Sequence, residues 1–170
     1  MTPNDIFARM GPRQADDLLG WLAENDRPAY KSCGGMLAAR RKLRPVFVER
    51  KSRTERIQWM KDALARPANA DLAAETLQLW TLGANEKVVC DFLDSIGIAH
   101  DGKGLLDEVP AEPAIEKVDN AVDLLLSNHG AMAVFIYLHL FSSMSPDTWP
   151  RLRGILEEHE LLRPELVFSL

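Results

Sequence analysis

A chain of 170 residues, 46% hydrophobic and 26% charged, has the make-up of a soluble globular protein and can bury roughly 70% of its unfolded surface without a metal or disulfide staple. Two cysteines, Cys33 and Cys90, argue against a secreted disulfide scaffold, and the longest apolar run, Ala131 to Leu138, falls far short of the ~20 residues that span a bilayer. Asp5 and Arg9 stand where a signal peptide would be apolar, so the expectation is a cytoplasmic protein with no membrane partner.

The net charge of −5 is unevenly spread. Residues 1–66 carry 14 Lys+Arg against 8 Asp+Glu, a balance of +6, and residues 67–170 carry 6 against 17, a balance of −11. Such a division points to an anionic partner for the first part or to attraction between basic and acidic surfaces.

In chain order nearly every segment reads as helix. Residues 5–10 make a short helical turn ended by Gly11-Pro12, and residues 14–24 carry Leu18, Leu19, Trp21 and Leu22. Asp26 caps the next helix, with Pro28 tolerated in its first turn. That helix is expected to run to about Lys42 and to bury Tyr30, Cys33, Met36 and Leu37. Gly34-Gly35 inside it costs ~1 kcal/mol per glycine relative to alanine, which suggests close helix packing. Pro45 interrupts, and Val46, Phe47 and Val48 read as a short helix or an extended connector. Ser52 and Glu55 form a capping box for a helix reaching about Arg66, with Ile57, Met60 and Leu64 on one face. Pro67 stops it. Asn69 or Asp71 caps the next, which carries Leu72, Thr76, Leu79 and Trp80 and ends at Gly83.

The best-defined stretch is Asn85 to Gly102. Asn85 is placed to cap a helix whose apolar face is Val88, Val89, Phe92, Leu93 and Ile96, and Gly97 stands where a helix end wants positive φ. Residues 97–113 lack periodicity and hold Gly97, Gly102, Gly104, Pro110 and Pro113. They make a long loop: a functional segment, an ordered wrap or a mobile connector. A helix follows from about Ala114 to Asn128 through Ile115, Val118, Val122, Leu125 and Leu126. The helix at 131–143, apolar nearly all round, belongs at the centre. Ser145 caps a last long helix, with Pro146 near its start and Trp149 inward, and residues 164–170 form an apolar tail docked on the body.

No alternating strand pattern is present, so the expected fold is all-α: a single domain, 1–170, of about seven to nine helices packed as antiparallel hairpins. A 47-residue shift sets Leu77, Leu79, Gly83, Ala84, Val89 and Leu93 over Leu124, Leu126, Gly130, Ala131, Ile136 and Leu140, a period that fits HEAT-like helical pairs.

Motifs of chemistry are sparse. His100-Asp101 resembles the metal-binding dipeptide of HD-type phosphohydrolases. That pattern also needs an upstream histidine, and the remaining histidines, His129, His139 and His159, all lie downstream. Asp91, Asp94, Asp101, Asp107, Glu108 and Glu112 offer hard oxygen ligands without calcium-loop spacing, and read as a solvated acidic face. There is no HExxH, GxSxG, Walker loop or GxGxxG. Cys33-Gly34-Gly35 has no base beside it in sequence to make a nucleophile. No catalytic residue, metal or cofactor is expected.

Arg40 to Arg56 is the unusual segment. It holds Arg40, Arg41, Lys42, Arg44, Arg50, Lys51, Arg53 and Arg56 against Glu49 and Glu55, the whole +6 of the first part. The expected function is that of a non-enzymatic interaction or scaffold protein, engaging a protein partner or itself through its basic and acidic surfaces. The alternative is a nucleic-acid-binding protein using residues 40–56, in particular Arg40, Arg41, Arg44, Arg50, Lys51, Arg53 and Arg56. A metal-dependent hydrolase around His100-Asp101 is third.

Overall fold

The computed structural model describes residues 1–104, 106, 108–144 and 147–169, and its fold is all-α, with no strand among the described residues. The chain falls into two compact units, residues 1–80 and 81–169. No described helix is long and apolar enough to cross a membrane.

The first unit opens with α1 (Pro3–Arg9), α2 (Pro12–Ala15), a π-helical segment (Asp16–Gly20) and α3 (Trp21–Asn25), the last three forming one continuous helical run. Then come α4 (Arg27–Arg40), α5 (Pro45–Glu49), α6 (Arg53–Leu64), a 3-10 turn (Pro67–Asn69) and most of α7 (Ala70–Ala84), whose final residues begin the second unit. Ile6, Phe7, Leu18, Leu19, Leu37, Met60, Leu64 and Leu77 form its core. Two buried asparagines donate to carbonyls at and just beyond the end of α6, where the regular i→i+4 ladder stops. Asn4 Nδ2 donates to Leu64 O and Arg66 O, both at 2.7 Å, and Asn69 Nδ2 donates to Ala63 O at 2.7 Å. Asn69 is therefore a staple across the end of α6 rather than the side-chain cap of α7.

The expected caps hold at Asp26, which accepts from Ala29 N at 3.1 Å, and at Ser52-Glu55, whose reciprocal bonds open α6. Pro45 opens α5, so Val46–Val48 are helix rather than connector. α4 ends two residues earlier than expected. Lys42 takes φ 54° and Leu43 N reaches back to Ala38 O at 2.9 Å, a Schellman-type close that turns the basic corner outward.

The second unit contains α8 (Glu86–Ile96), α9 (Ile115–Asn128), α10 (Ala131–Met144), α11 (Pro150–Glu158), a 3-10 turn (Glu160–Leu162) and α12 (Pro164–Val167). Gly97 adopts φ 77° and Ile98 N bonds Leu93 O at 2.8 Å, the C-terminal stop read from the sequence. Asn85 holds the N-cap position of α8, but its side chain makes no capping bond. Ile115 is exposed, because α9 has barely begun there and its buried stripe is Val118, Ala121, Val122 and Leu125. α10 is the buried centre of this unit, as its all-round apolar sequence implies. Phe92 sits edge-on to Tyr137 and Phe141, and Trp149 closes the cluster on Phe141.

The expected cap Ser145 and Pro146 lie outside the described residues, and α11 starts later, at Pro150. Its cap comes from the loop: Glu112 accepts from Arg151 N at 3.0 Å and Leu152 N at 2.8 Å, a carboxylate at the positive end of a helix. The tail is docked through Val167 and through Phe168, which stands edge-on to Phe135. The 47-residue echo is not supported as a HEAT-like repeat. Leu77 is fully buried, whereas its counterpart Leu124 is 47% exposed, so equivalent positions serve opposite environments.

Candidate interaction surface

The eight cations of Arg40–Arg56 have three different fates. Arg40, Arg53 and Arg56 serve the fold. Arg40 makes a two-pronged pair with Asp71 at 2.5 and 2.7 Å and also donates to Ala68 O and Asn69 Oδ1. That guanidinium holds the Asp71 carboxyl well below the ordinary carboxylate range. Arg53 spans Asp16 at 3.3 Å and Glu24 at 3.0 Å, passing over Gly20. A Cβ on Gly20 would meet Arg53 Nη2 at 2.5 Å, so glycine in the π segment is what admits the guanidinium. Arg56 Nη2 donates to Glu49 O and Lys51 O and closes the end of α5.

Lys51 stands over the Phe47 ring, 4.7 Å from its centroid, a cation–π contact. Arg41, Lys42, Arg44 and Arg50 are exposed and make no ion pair among the described residues. Between them α5 holds Val46 and Phe47, 44% and 47% exposed. Pairing within the chain thus consumes Arg40 and Arg53, with Asp71 the partner drawn from the acidic remainder. It leaves a corner of free positive charge around two apolar side chains.

Beside this corner lies a groove of about 150 Å³ between α4, α5 and α6. Tyr30, Gly34, Gly35, Pro45, Val48 and Met60 line it, and the Arg56 side chain, whose Nε is buried without a partner, stands at its edge. The glycine pair is not the mark of close helix packing. A Cβ on Gly34 would make ordinary contact with Met60 Sδ at 3.7 Å, and one on Gly35 would meet nothing within 4 Å. The fold forgoes helix propensity at Gly35 with no steric need. Gly35→Ala should therefore raise stability by ~1 kcal/mol, read as a later urea midpoint at unchanged m. A destabilised variant would mean that α4 is not a regular helix there.

The other candidates are structural. The described residues of the 97–113 segment make several contacts with the helices around them. His100 is only 8% exposed at its side chain, not the surface residue its place in a loop suggests. Its Nδ1 accepts from Gly102 N at 3.2 Å, which leaves Nε2–H to face Asp94 Oδ1 at 3.2 Å. Both ring nitrogens are engaged in holding the turn. Gly104, at φ 84°, lies so close to α8 that a Cβ would fall 2.2 Å from Val89 Cγ1. Trp149 Nε1 donates to Pro110 O at 2.9 Å.

Of the acidic set, Asp91 faces His129 Nε2 at 2.8 Å, Asp94 faces His100, Glu112 caps α11, and Asp107 lies outside the described residues. Among the described residues no three His, Cys, Asp or Glu side chains form a group that could hold a metal. Burial pushes the Cys33 thiol up, as it does that of Cys90, so neither is drawn toward the thiolate.

Sequence reasoning counted the charges of this segment and overlooked Phe47. The available signal was an aromatic residue flanked on both sides by cations, two residues after a proline that can open a helix. Against known protein families, curated proteins and solved structures, the chain finds no match.

Proposed function

We propose that this chain is a non-enzymatic protein-interaction module, and that the α4–α5–α6 corner receives an acidic, apolar-faced segment of a protein partner. The observation that carries the reading is the set of unpaired cations Arg41, Lys42, Arg44 and Arg50 around exposed Val46 and Phe47. Charge at the rim steers the encounter and sets register, and the apolar centre beside the groove supplies affinity. A protein segment fits better than a nucleic acid. The free cations are confined to one short corner, and the net charge of −5 works against a long polyanion.

The test places a photo-crosslinking phenylalanine analogue at position 47 in the source cell and maps the captured peptides. Capture of segments rich in Asp, Glu and large apolar residues is expected, and the triple change Arg41→Glu, Arg44→Glu, Arg50→Glu should abolish it. A fluorescence titration with single-stranded RNA and DNA runs beside it. Binding at physiological salt, with a log–log salt slope that flattens by about one unit per cation removed, would replace this reading with the nucleic-acid one.

A further inference from the structure

Resting on the reading of the basic corner as a binding face, we infer that its occupant is the acidic C-terminal ridge of a second copy of this chain, so that copies join head to tail. The ridge runs from the end of α11 through the 3-10 turn into α12. Glu157, Glu158 and Glu160 are exposed along it, as are Leu161 and Leu166, 56% and 49%. Arg163 is the only Lys or Arg between residues 157 and 166. Beneath the ridge Ile155, Leu162 and Val167 are buried, so it is held in place before any partner arrives and little ordering is needed on docking.

The two surfaces match in kind and oppose in sign. The corner presents Val46 and Phe47 among Arg41, Lys42, Arg44 and Arg50, and the ridge presents Leu161 and Leu166 among glutamates. Each exposes large apolar side chains that a monomer gains nothing by showing to water. The uneven charge of the whole chain, +6 over residues 1–66 and −11 after, is the same complementarity at larger scale. Because corner and ridge are different surfaces, each copy offers one of each, and a reciprocal pair, a ring or an open chain of copies would satisfy both.

Sedimentation velocity on the purified full chain tests this. At low salt the weight-average mass should rise with concentration to at least about twice the monomer, as association of two or more copies requires. It should fall back toward 19.1 kDa in ~1 M salt, where screening reaches ~3 Å. Two charge-reversed forms are then made, one with Arg41→Glu, Arg44→Glu and Arg50→Glu, the other with Glu157→Lys, Glu158→Lys and Glu160→Lys. Each alone should stay monomeric. Mixed in equal amounts they should associate again, since each form's altered surface now suits the other's, and that restoration also shows that both are folded. A wild-type chain that remains monomeric to millimolar concentration overturns the second-copy assignment, as does association that survives both reversals. Capture of another protein's acidic segment at position 47 by a monomeric chain would sink this inference and leave the proposed function standing. Loss of capture together with persistent monomers would end both.

Discussion

Acidifying the folded protein from pH 6.5 to pH 4 should cost ~3 kcal/mol through a single side chain, His139 on α10. The ring lies against Phe135, 4.3 Å between centroids, on the most apolar helix of the chain. Burial there disfavours the imidazolium and pushes His139 down from 6.5 to about 4. In that window the unfolded chain binds the proton and the folded chain does not. Stability is therefore fully present above about 6.5 and is lost as pH falls toward 4, where the folded state at last accepts the charge. Urea midpoints at successive pH values would show the slope. In His139→Leu the same titration should be nearly flat across this interval. Equal pH slopes for the two proteins would mean that His139 is protonated in the fold and that α10 is wetter than its sequence implies.

His139 illustrates which parts of this molecule were legible in the sequence. Its helix was read correctly because apolar residues run all round it, and the helix end at Gly97 and the helix start at Ser52 were read because local backbone chemistry decides them. What escaped were groups whose partners are distant in sequence. Asn69 looks like a helix cap, yet its side chain is spent on Ala63 O, and the cap of α11 is Glu112, nearly forty residues upstream. Gly20 carries no signal of its own in the sequence, and only the fold shows Arg53 lying across it. At the candidate surface the charges were evident, but their division was not. Nothing local says that Arg40 and Arg53 are anchored by Asp71, Asp16 and Glu24 while Arg41, Arg44 and Arg50 remain free. Free charge is a tertiary property: it is what remains after the fold has taken its own pairs. Phe47 was visible as an aromatic within a basic run, and only the opening of α5 at Pro45 puts it beside the cations and out in solvent.

The largest single-residue loss is expected at Trp149. Its side chain is fully buried, sits edge-on to Phe141 at 4.8 Å and tilts against Phe92 at 6.4 Å. Its indole Nε1 donates to Pro110 O at 2.9 Å, so one side chain both completes the aromatic core of the second unit and ties down the 97–113 wrap. Trp149→Ala removes the ring, leaves a cavity among Phe92, Phe141 and their neighbours, and strands the Pro110 carbonyl; a loss of ~3–5 kcal/mol is expected. Trp149→Phe keeps most of the packing and loses the hydrogen bond, so it should cost ~1–2 kcal/mol, within the range for one stranded acceptor. The two variants separate core from tether. In Trp149→Phe the urea midpoint should move by no more than those ~1–2 kcal/mol allow, while limited proteolysis between residues 98 and 113 should quicken out of proportion, because the wrap then opens without global unfolding. In Trp149→Ala both should change together. Wild-type proteolysis at the loop in Trp149→Phe would show that Glu112 and His100 hold the wrap without help from the indole. A loss below ~1 kcal/mol in Trp149→Ala would mean that the cavity refills, which the close edge-to-face packing of Phe92, Phe141 and Tyr137 argues against.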